Sequence, residues 1–349
     1  MQIDPDRQRT RDLVLKYGWN TTCYQIVNPC IDRWFSDDSV VGYVERQGVR
    51  VVAGAPVCPM DSLEATLQAF EATAEGHVCY FGAEERLRQA TRTKGKYSCT
   101  VLGAQPVWSP ESWQAAFDGD ASLRFQRNRA RNKHVAVREW TTEQATNHPE
   151  LRRVLEEWLA TRGLPTMHFL VEPETLDFLE DRRVFVAEQE GEVVGFTTLC
   201  PIPLRKGWLT EQFVRGAKAP NGTVELMVDY AVGAVGSEGS EFVTMGMVPL
   251  STNVRATRDT PGWLKFMMGW MRAHGRRFYN FDGLNWFKQK FHPDRWDPIY
   301  AISSEPHISF RTINAIATAF TGMPPWLAVL RGGVRGLKQE ARWLLKRKR

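Results

Sequence analysis

Nowhere in these 349 residues do about 20 apolar residues run together, the length a helix needs to cross a bilayer. An integral membrane chain is therefore not expected. The opening MQIDPDRQRTRD is polar and holds no apolar core segment, so no secretory signal is expected either. Cysteine is scarce: six residues, at positions 23, 30, 58, 79, 99 and 200, with no C-x-x-C pair, and no H-E-x-x-H spacing accompanies them. These gaps argue against a zinc site or a disulfide framework and for a reducing, cytoplasmic setting. No metal and no cofactor is expected. G-x-S-x-G is also missing, and no Cys/His pairing suggests a covalent nucleophile.

What is present is a globular composition, 43% apolar and 24% charged, which suits a packed chain. The formal net charge of +5 is uneven. Arg331, Arg335, Lys338, Arg342, Lys346, Arg347, Lys348 and Arg349 face only Glu340 in the last stretch, so a near-neutral body carries a basic tail. Leu327, Leu330, Val334, Leu337, Ala341 and Leu344 recur by threes and fours. The tail thus reads as a helix with one apolar and one basic face, suited to an anionic membrane surface. Binding of tRNA phosphates, or packing on the body with the basic side solvated, accounts for it equally.

Periodicity predicts an α+β chain. A hairpin is expected over 40–58 about Gly48, a helix after Asp61, strands at 78–81 and 97–102, and a helix over 84–91 between them. Residues 104–121 are rich in turn formers and read as a linker. The second unit, 122–305, repeats the order. It has helices at 122–132 and 150–161, a hairpin about Glu190-Gly191, and a strand at 208–214. A helix at 221–235, a strand at 241–247, a helix at 262–274 and a strand at 278–281 follow. A short helix at 284–291 and a strand at 299–303 close it. With 1–103 as the first unit and 306–349 as the tail, a tandem duplication is suggested.

Three stretches could carry chemistry. In WLTEQFVRGAKAPNGTVELMVDY a strand ends at Arg215, the turn Pro220-Asn221-Gly222 follows, and a helix opens, a ready site for an anion. The R-x-x-G-x-G/A loop that holds CoA pyrophosphate is not there, and an ordinary capped helix beside a surface arginine explains the pattern too. In the run 122–138, Arg124, Arg127 and Arg131 share one helical face and could grip phosphates, or pair with the protein's own acids. Interleaved aromatics are few there, which disfavours base stacking, and no DNA partner is expected. In FYNFDGLNWFKQKFHPDRWDP, a strand reaches Asp282 and a short helix presents Lys288 and Lys290. Being two apart, these lysines point in different directions, so at most one faces a given site. Glu211, Gln212 and Asp229 complete the polar set. Residues 211 and 212 lie on opposite faces of a strand. Glu211 could be a general base, or simply a partner of Arg215.

Taken in order, GWNTTCYQI (18–26), VAGAPVCP (52–59), SLRFQRNRARNKHV (122–135) and DRRVFVAE (181–188) form a recognisable series. GWLTEQFVRGAKAPNGTVELMVD (207–229), MGMVPLS (245–251) and GLNWFKQKFHPDRWDPIY (283–300) extend it. Over roughly residues 18–303 the chain resembles the C-terminal catalytic domain of the aminoacyl-phosphatidylglycerol synthases, the phosphatidylglycerol lysyltransferase family. The resemblance implies two Gcn5-related N-acetyltransferase-like units in tandem, with mixed sheets flanked by helices. It implies transfer of an aminoacyl group from aminoacyl-tRNA to a lipid hydroxyl. Arg215 and the loop 220–222 would then line the acyl-transfer groove. Lys288 and Lys290 would serve donor binding or catalysis, and the arginine helix would enter the second unit.

Two departures stand out. The position three before the motif arginine, where Asp is expected, is Gln212, so a base role would fall to Glu211 or to water. The membrane-spanning half of the full-length family is not in this sequence, so a free-standing soluble relative is expected, cytoplasmic or peripheral on the inner face of the cell membrane. Two other readings keep the fold: an acyltransferase using acyl-CoA or an acyl carrier protein, and a non-catalytic module that binds tRNA or membrane.

Overall fold

In the computed structural model, residues 4–92, 94–162, 167–255, 260–274, 280–324 and 327 are described. The first half holds α1 (Pro5–Tyr17), β1 (Asp32–Ser36), β2 (Ser39–Arg46), β3 (Val49–Ala53), α2 (Leu63–Ala72), β4 (His77–Ala83), α3 (Glu85–Arg92) and β5 (Ser98–Trp108). Next come α4 (Pro110–Gly119), α5 (Ala121–Arg131), β6 (Val135–Trp140), α6 (Thr142–Ala145), α7 (Pro149–Ala160), β7 (Arg183–Gln189), β8 (Glu192–Ile202) and β9 (Gly207–Arg215). The remainder is α8 (Thr223–Ser237), β10 (Phe242–Thr244), β11 (Val248–Pro249), α9 (Gly262–His274), α10 (Phe281–Gln289), β12 (Arg295–Ser303) and α11 (Phe310–Thr321).

The β2–β3 hairpin turns on Gln47 and Gly48, both at positive φ (54° and 67°). This is the local twist that a two-residue hairpin demands, and it explains the glycine. Strands with alternating or continuous apolar side chains then assemble into one mixed sheet. Its order among the described residues is β1-β2-β3-β4-β12-β5-β10-β9-β8-β7-β6, with β11 paired to β5 off this path. The β3–β4 and β9–β10 pairs are parallel.

The α+β class, with helices flanking a mixed sheet, is as expected, but the strand order interleaves the two halves. The strand β12, late in the sequence, lies between β4 and β5. Along its other edge β5 meets β10, with Val243 opposite Trp108. The stretch expected as a linker over 104–121 holds the end of β5 and all of α4. Pro110, read as a turn residue, sits in the first turn of α4, where its missing N–H costs nothing. The strand expected to end at 281 is not seen there, because Phe281 opens α10. Residues 278 and 279 of that stretch and the basic tail 331–349 lie outside the described residues. No helix among the described residues is long and apolar enough to cross a membrane.

Buried ion pairs fasten the halves. Arg205 donates to Glu84 at 2.7 Å with its guanidinium 3.6 Å from the Phe242 ring centroid. Glu84 also accepts from the Thr21 amide and from Gln105. Closer to the surface, Arg11 forks onto Asp181, and Arg7 onto Glu180.

Candidate functional site

A cleft of about 540 Å³ opens where α5, the start of α8 and α10 converge. Arg215, Asn221, Gly222, Glu225, Lys290 and His292 line it, with Asp120 at the foot of α5 and Trp286 and Phe287 on α10.

The sequence explains how each wall is held. Gly222 caps α8 at φ 93°, and a Cβ there would stand 2.0 Å from the carbonyl oxygen of Gln126. Only glycine lets α8 start this close to α5. Arg215, at the end of β9, donates to the Ala219 carbonyl (2.8 Å) and to Asn221 Oδ1 (2.9 Å). It thereby shapes the loop that presents the α8 N-terminus, where first-turn amides and the helix dipole favour negative charge.

The other wall is α10, which is anchored twice. Phe291 is fully buried and stacks on Trp113 with centroids 5.6 Å apart, while its carbonyl accepts from Trp108 Nε1 at 2.8 Å. Lys288 is also buried, and its Nζ donates to the carbonyls of Met245 (2.6 Å), Gly246 (2.9 Å) and Met247 (3.2 Å). With 288 and 291 inward, Lys290 and His292 are left for the cleft. Lys290 reaches Glu225 Oε1 at 2.6 Å and lies 4.4 Å from the Phe287 ring centroid. His292 Nε2 sits 2.8 Å from Asp120 Oδ2. The same Asp120 caps α5 by accepting from the Leu123 amide at 2.9 Å. The His292 contact and that amide lower the Asp120 pKa, so it is a carboxylate at neutral pH. Sequence reading missed this dyad, whose members are 172 residues apart.

The remaining candidates are placed elsewhere. Glu211 is in a buried ion pair: Arg182 Nε and Nη2 donate to it at 2.8 and 3.0 Å, Gln25 at 2.8 Å and Thr198 at 3.2 Å. Both its oxygens are occupied, and its partner is Arg182 rather than Arg215. A base role for Glu211 is therefore not supported by its surroundings. Gln212 faces the opposite side of β9, buried, with its amide 3.3 Å from Thr175 Oγ1 and 3.4 Å from the Pro173 carbonyl. Asp229 is buried against Trp113 Nε1 (3.2 Å) and Arg127 (3.0 Å). Arg127 also bridges to Asp118 at 2.7 Å, and Arg124 donates to the Asp118 carbonyl. Two arginines of the expected phosphate-gripping face thus hold α4, α5 and α8 together, while Arg131 is exposed at the end of α5. Asp282 is paired with Arg272 of α9 at 2.8 Å. Pro220 accepts from the Thr223 hydroxyl at 2.8 Å and so belongs to the α8 cap. Lys288 is occupied by carbonyls, and burial pushes its pKa down to about 7. Among the described residues, no group of three His, Cys, Asp or Glu side chains could hold a metal ion.

The model of the C-terminal region of phosphatidylglycerol lysyltransferase matches residues 11–303. A phosphatidylglycerol lysyltransferase of Bacillus subtilis (strain 168) is 26% identical over 279 residues, 75% of this chain. The aligned part makes up only 31% of that protein's length. Among solved structures, the C-terminal domain of a protein titled a lysylphosphatidylglycerol synthetase from Agrobacterium fabrum superposes with a TM-score of 0.77 at 20% identity. It covers 91% of this chain and 97% of its own. L-PGS from Bacillus licheniformis gives a TM-score of 0.74 at 21% identity, covering 90% and 95%. At these identities the two structures speak for the fold.

Proposed function

The chain belongs to the phosphatidylglycerol lysyltransferase C-terminal family, and from that premise we propose that it transfers an aminoacyl group from aminoacyl-tRNA to a hydroxyl of a phosphatidylglycerol-like lipid. The cleft between α5, α8 and α10 is the proposed site. The observation that carries this reading is the His292–Asp120 pair, set in one cleft with Lys290 and the α8 N-terminus.

The donor is an ester, already activated, so the step needs positioning, a proton acceptor and stabilisation of an oxyanion. With Nε2–H donating to Asp120, the Nδ1 lone pair of His292 takes the proton of the attacking hydroxyl. The new C–O bond forms as the carbonyl becomes a tetrahedral oxyanion, held by the first-turn amides of α8 beyond Thr223, whose own N–H donates to the Pro220 carbonyl, and by Lys290. Collapse breaks the ester bond to the tRNA ribose, and the departing oxygen recovers the proton from His292. One ester replaces another, with no covalent enzyme intermediate. A general base of this kind is worth about 10²–10⁴ in rate. Arg215 positions the loop and offers its remaining N–H groups to donor phosphate. Because the donor is cytoplasmic, the acceptor would be met at the inner face of the membrane.

The test is incubation of the purified chain with mixed aminoacyl-tRNAs and phosphatidylglycerol vesicles, read by mass spectrometry. A new aminoacylated lipid is expected, with no inhibition by free CoA. Product formed only from acyl-CoA would move the assignment to the other acyltransferase class. Absence of any product would support a binding module.

A further inference from the structure

The helix α9 does not follow the usual logic of a surface helix. Its inner side is explained, since Leu264 is buried and Met267 and Met268 pack on the same core. The outer side of such a helix is ordinarily polar. Here it carries Trp263, Phe266 and Trp270, spaced by three and four residues, with relative exposures of 41%, 76% and 56%. The helix begins with a glycine and is apolar nearly all round, yet it lies on the surface. Contiguous exposed apolar area of this kind marks an interaction surface.

A second element extends the patch. Phe310, the first residue of α11, is 68% exposed and its ring centroid lies 6.3 Å from that of Trp263. Each helix also carries a cation, Lys265 on α9 and Arg311 on α11, whose Nε donates to the Gln47 carbonyl at 2.7 Å, and neither helix contains an acidic residue. Arg272, near the end of α9, is paired with Asp282 on the first turn of α10. That pair ties the aromatic helix to the element that presents Trp286, Phe287 and Lys290 to the cleft.

We infer that the aromatic face of α9, with Phe310, is a docking surface for an anionic lipid bilayer. Trp and Phe beside Lys and Arg are the residues that partition to the headgroup boundary, and a helix lying flat there buries an apolar face of this kind. The charge complements an anionic surface rather than a zwitterionic one, each cation near the headgroups adding about 1 kcal/mol. A protein partner would equally cover aromatic rings, but the one-sided charge of the rim favours the membrane. The inference rests on the proposed lipid acceptor: docking brings α10, and with it the cleft, to the surface where that acceptor lies. Trp263, Phe266 and Phe310 do not line the cleft, so docking and chemistry are separable.

The experiment uses the full chain and a Trp263→Ala/Phe266→Ala/Phe310→Ala variant. Each is measured for co-sedimentation with phosphatidylcholine vesicles with and without phosphatidylglycerol. Each is also measured for turnover on a short-chain, monomeric phosphatidylglycerol that needs no docking. The wild type is expected to bind the anionic vesicles. The variant should lose about tenfold or more in partitioning while keeping turnover on the monomeric lipid. Unchanged vesicle binding by the variant would overturn the inference, as would loss of binding only on removal of residues 331–349. So would a wild-type dimer, seen by light scattering, that the variant dissolves. Vesicle binding that depends on the aromatics, with no turnover on either lipid, would support docking and reject the transferase reading instead.

Discussion

Lys288 and Lys290 show how two residues of one motif divide between structure and chemistry. They stand two apart, Lys288 in the last turn of α10 and Lys290 at its C-cap with helical backbone, so they are turned some 200° apart at roughly 100° per residue. Lys290 enters the cleft against Glu225, and Lys288 goes inward to three carbonyls. Burial lowers the Lys288 pKa to about 7 from its ordinary 10.5. In that interval the unfolded chain holds a proton that the folded chain has released, so stability rises with pH through the window. Below about 7 the fold must carry the buried ammonium. Urea unfolding of the wild type and of Lys288→Met across this interval is expected to show the wild type gaining stability relative to the variant as pH rises. A difference flat in pH would mean that the carbonyls keep the amine charged in the fold. The motif itself carried no sign of this division. Spacing said the two lysines diverge, but which one faces inward depends on the carbonyls of 245–247, far away in sequence.

At the scale of elements, the cleft depends on how closely α8 approaches α5. The contact is made by backbone: Gly222 beside the Gln126 carbonyl, with Arg127 reaching across to Asp229. Gly222→Ala would put a methyl group into that carbonyl and strain a positive φ. A loss of about 1–3 kcal/mol is expected from strain of this kind. Thermal or urea unfolding would measure it, and a KM for donor that rises more than kcat falls would show the displaced α8 N-terminus. Several elements were legible in sequence because their signals are local. The hairpin about Gly48 and the helix over 262–274 came from turn chemistry and periodicity. The strand β12 was found near its true position in sequence but not in space. Nothing in its residues says that it inserts between β4 and β5, a pairing about 200 residues distant, and so the interleaving of the halves was hidden. Helix α4 was lost to the double meaning of proline, which punctuates loops and also opens helices.

For the whole molecule, the residues that join the halves are distinct from those that act. Glu211 belongs to the first group: with Arg182 fully buried against it, removing its charge should cost about 3–5 kcal/mol of stability, the usual result of stranding one member of a buried pair. The sequence placed Glu211 and Gln212 on opposite faces of β9 but could not say that the first half of the chain packs on one of those faces and supplies Gln25 as a partner. The His292–Asp120 pair belongs to the second group, and only the fold brings it together. The decisive measurement is the single-turnover rate of aminoacyl transfer to phosphatidylglycerol by His292→Ala and by Glu211→Gln, each corrected for its folded fraction. The account predicts a fall of about 10²–10⁴ for His292→Ala with melting unchanged, and a rate near wild type for folded Glu211→Gln. A wild-type rate in His292→Ala together with a lost rate in folded Glu211→Gln would contradict it and move the chemistry out of the cleft.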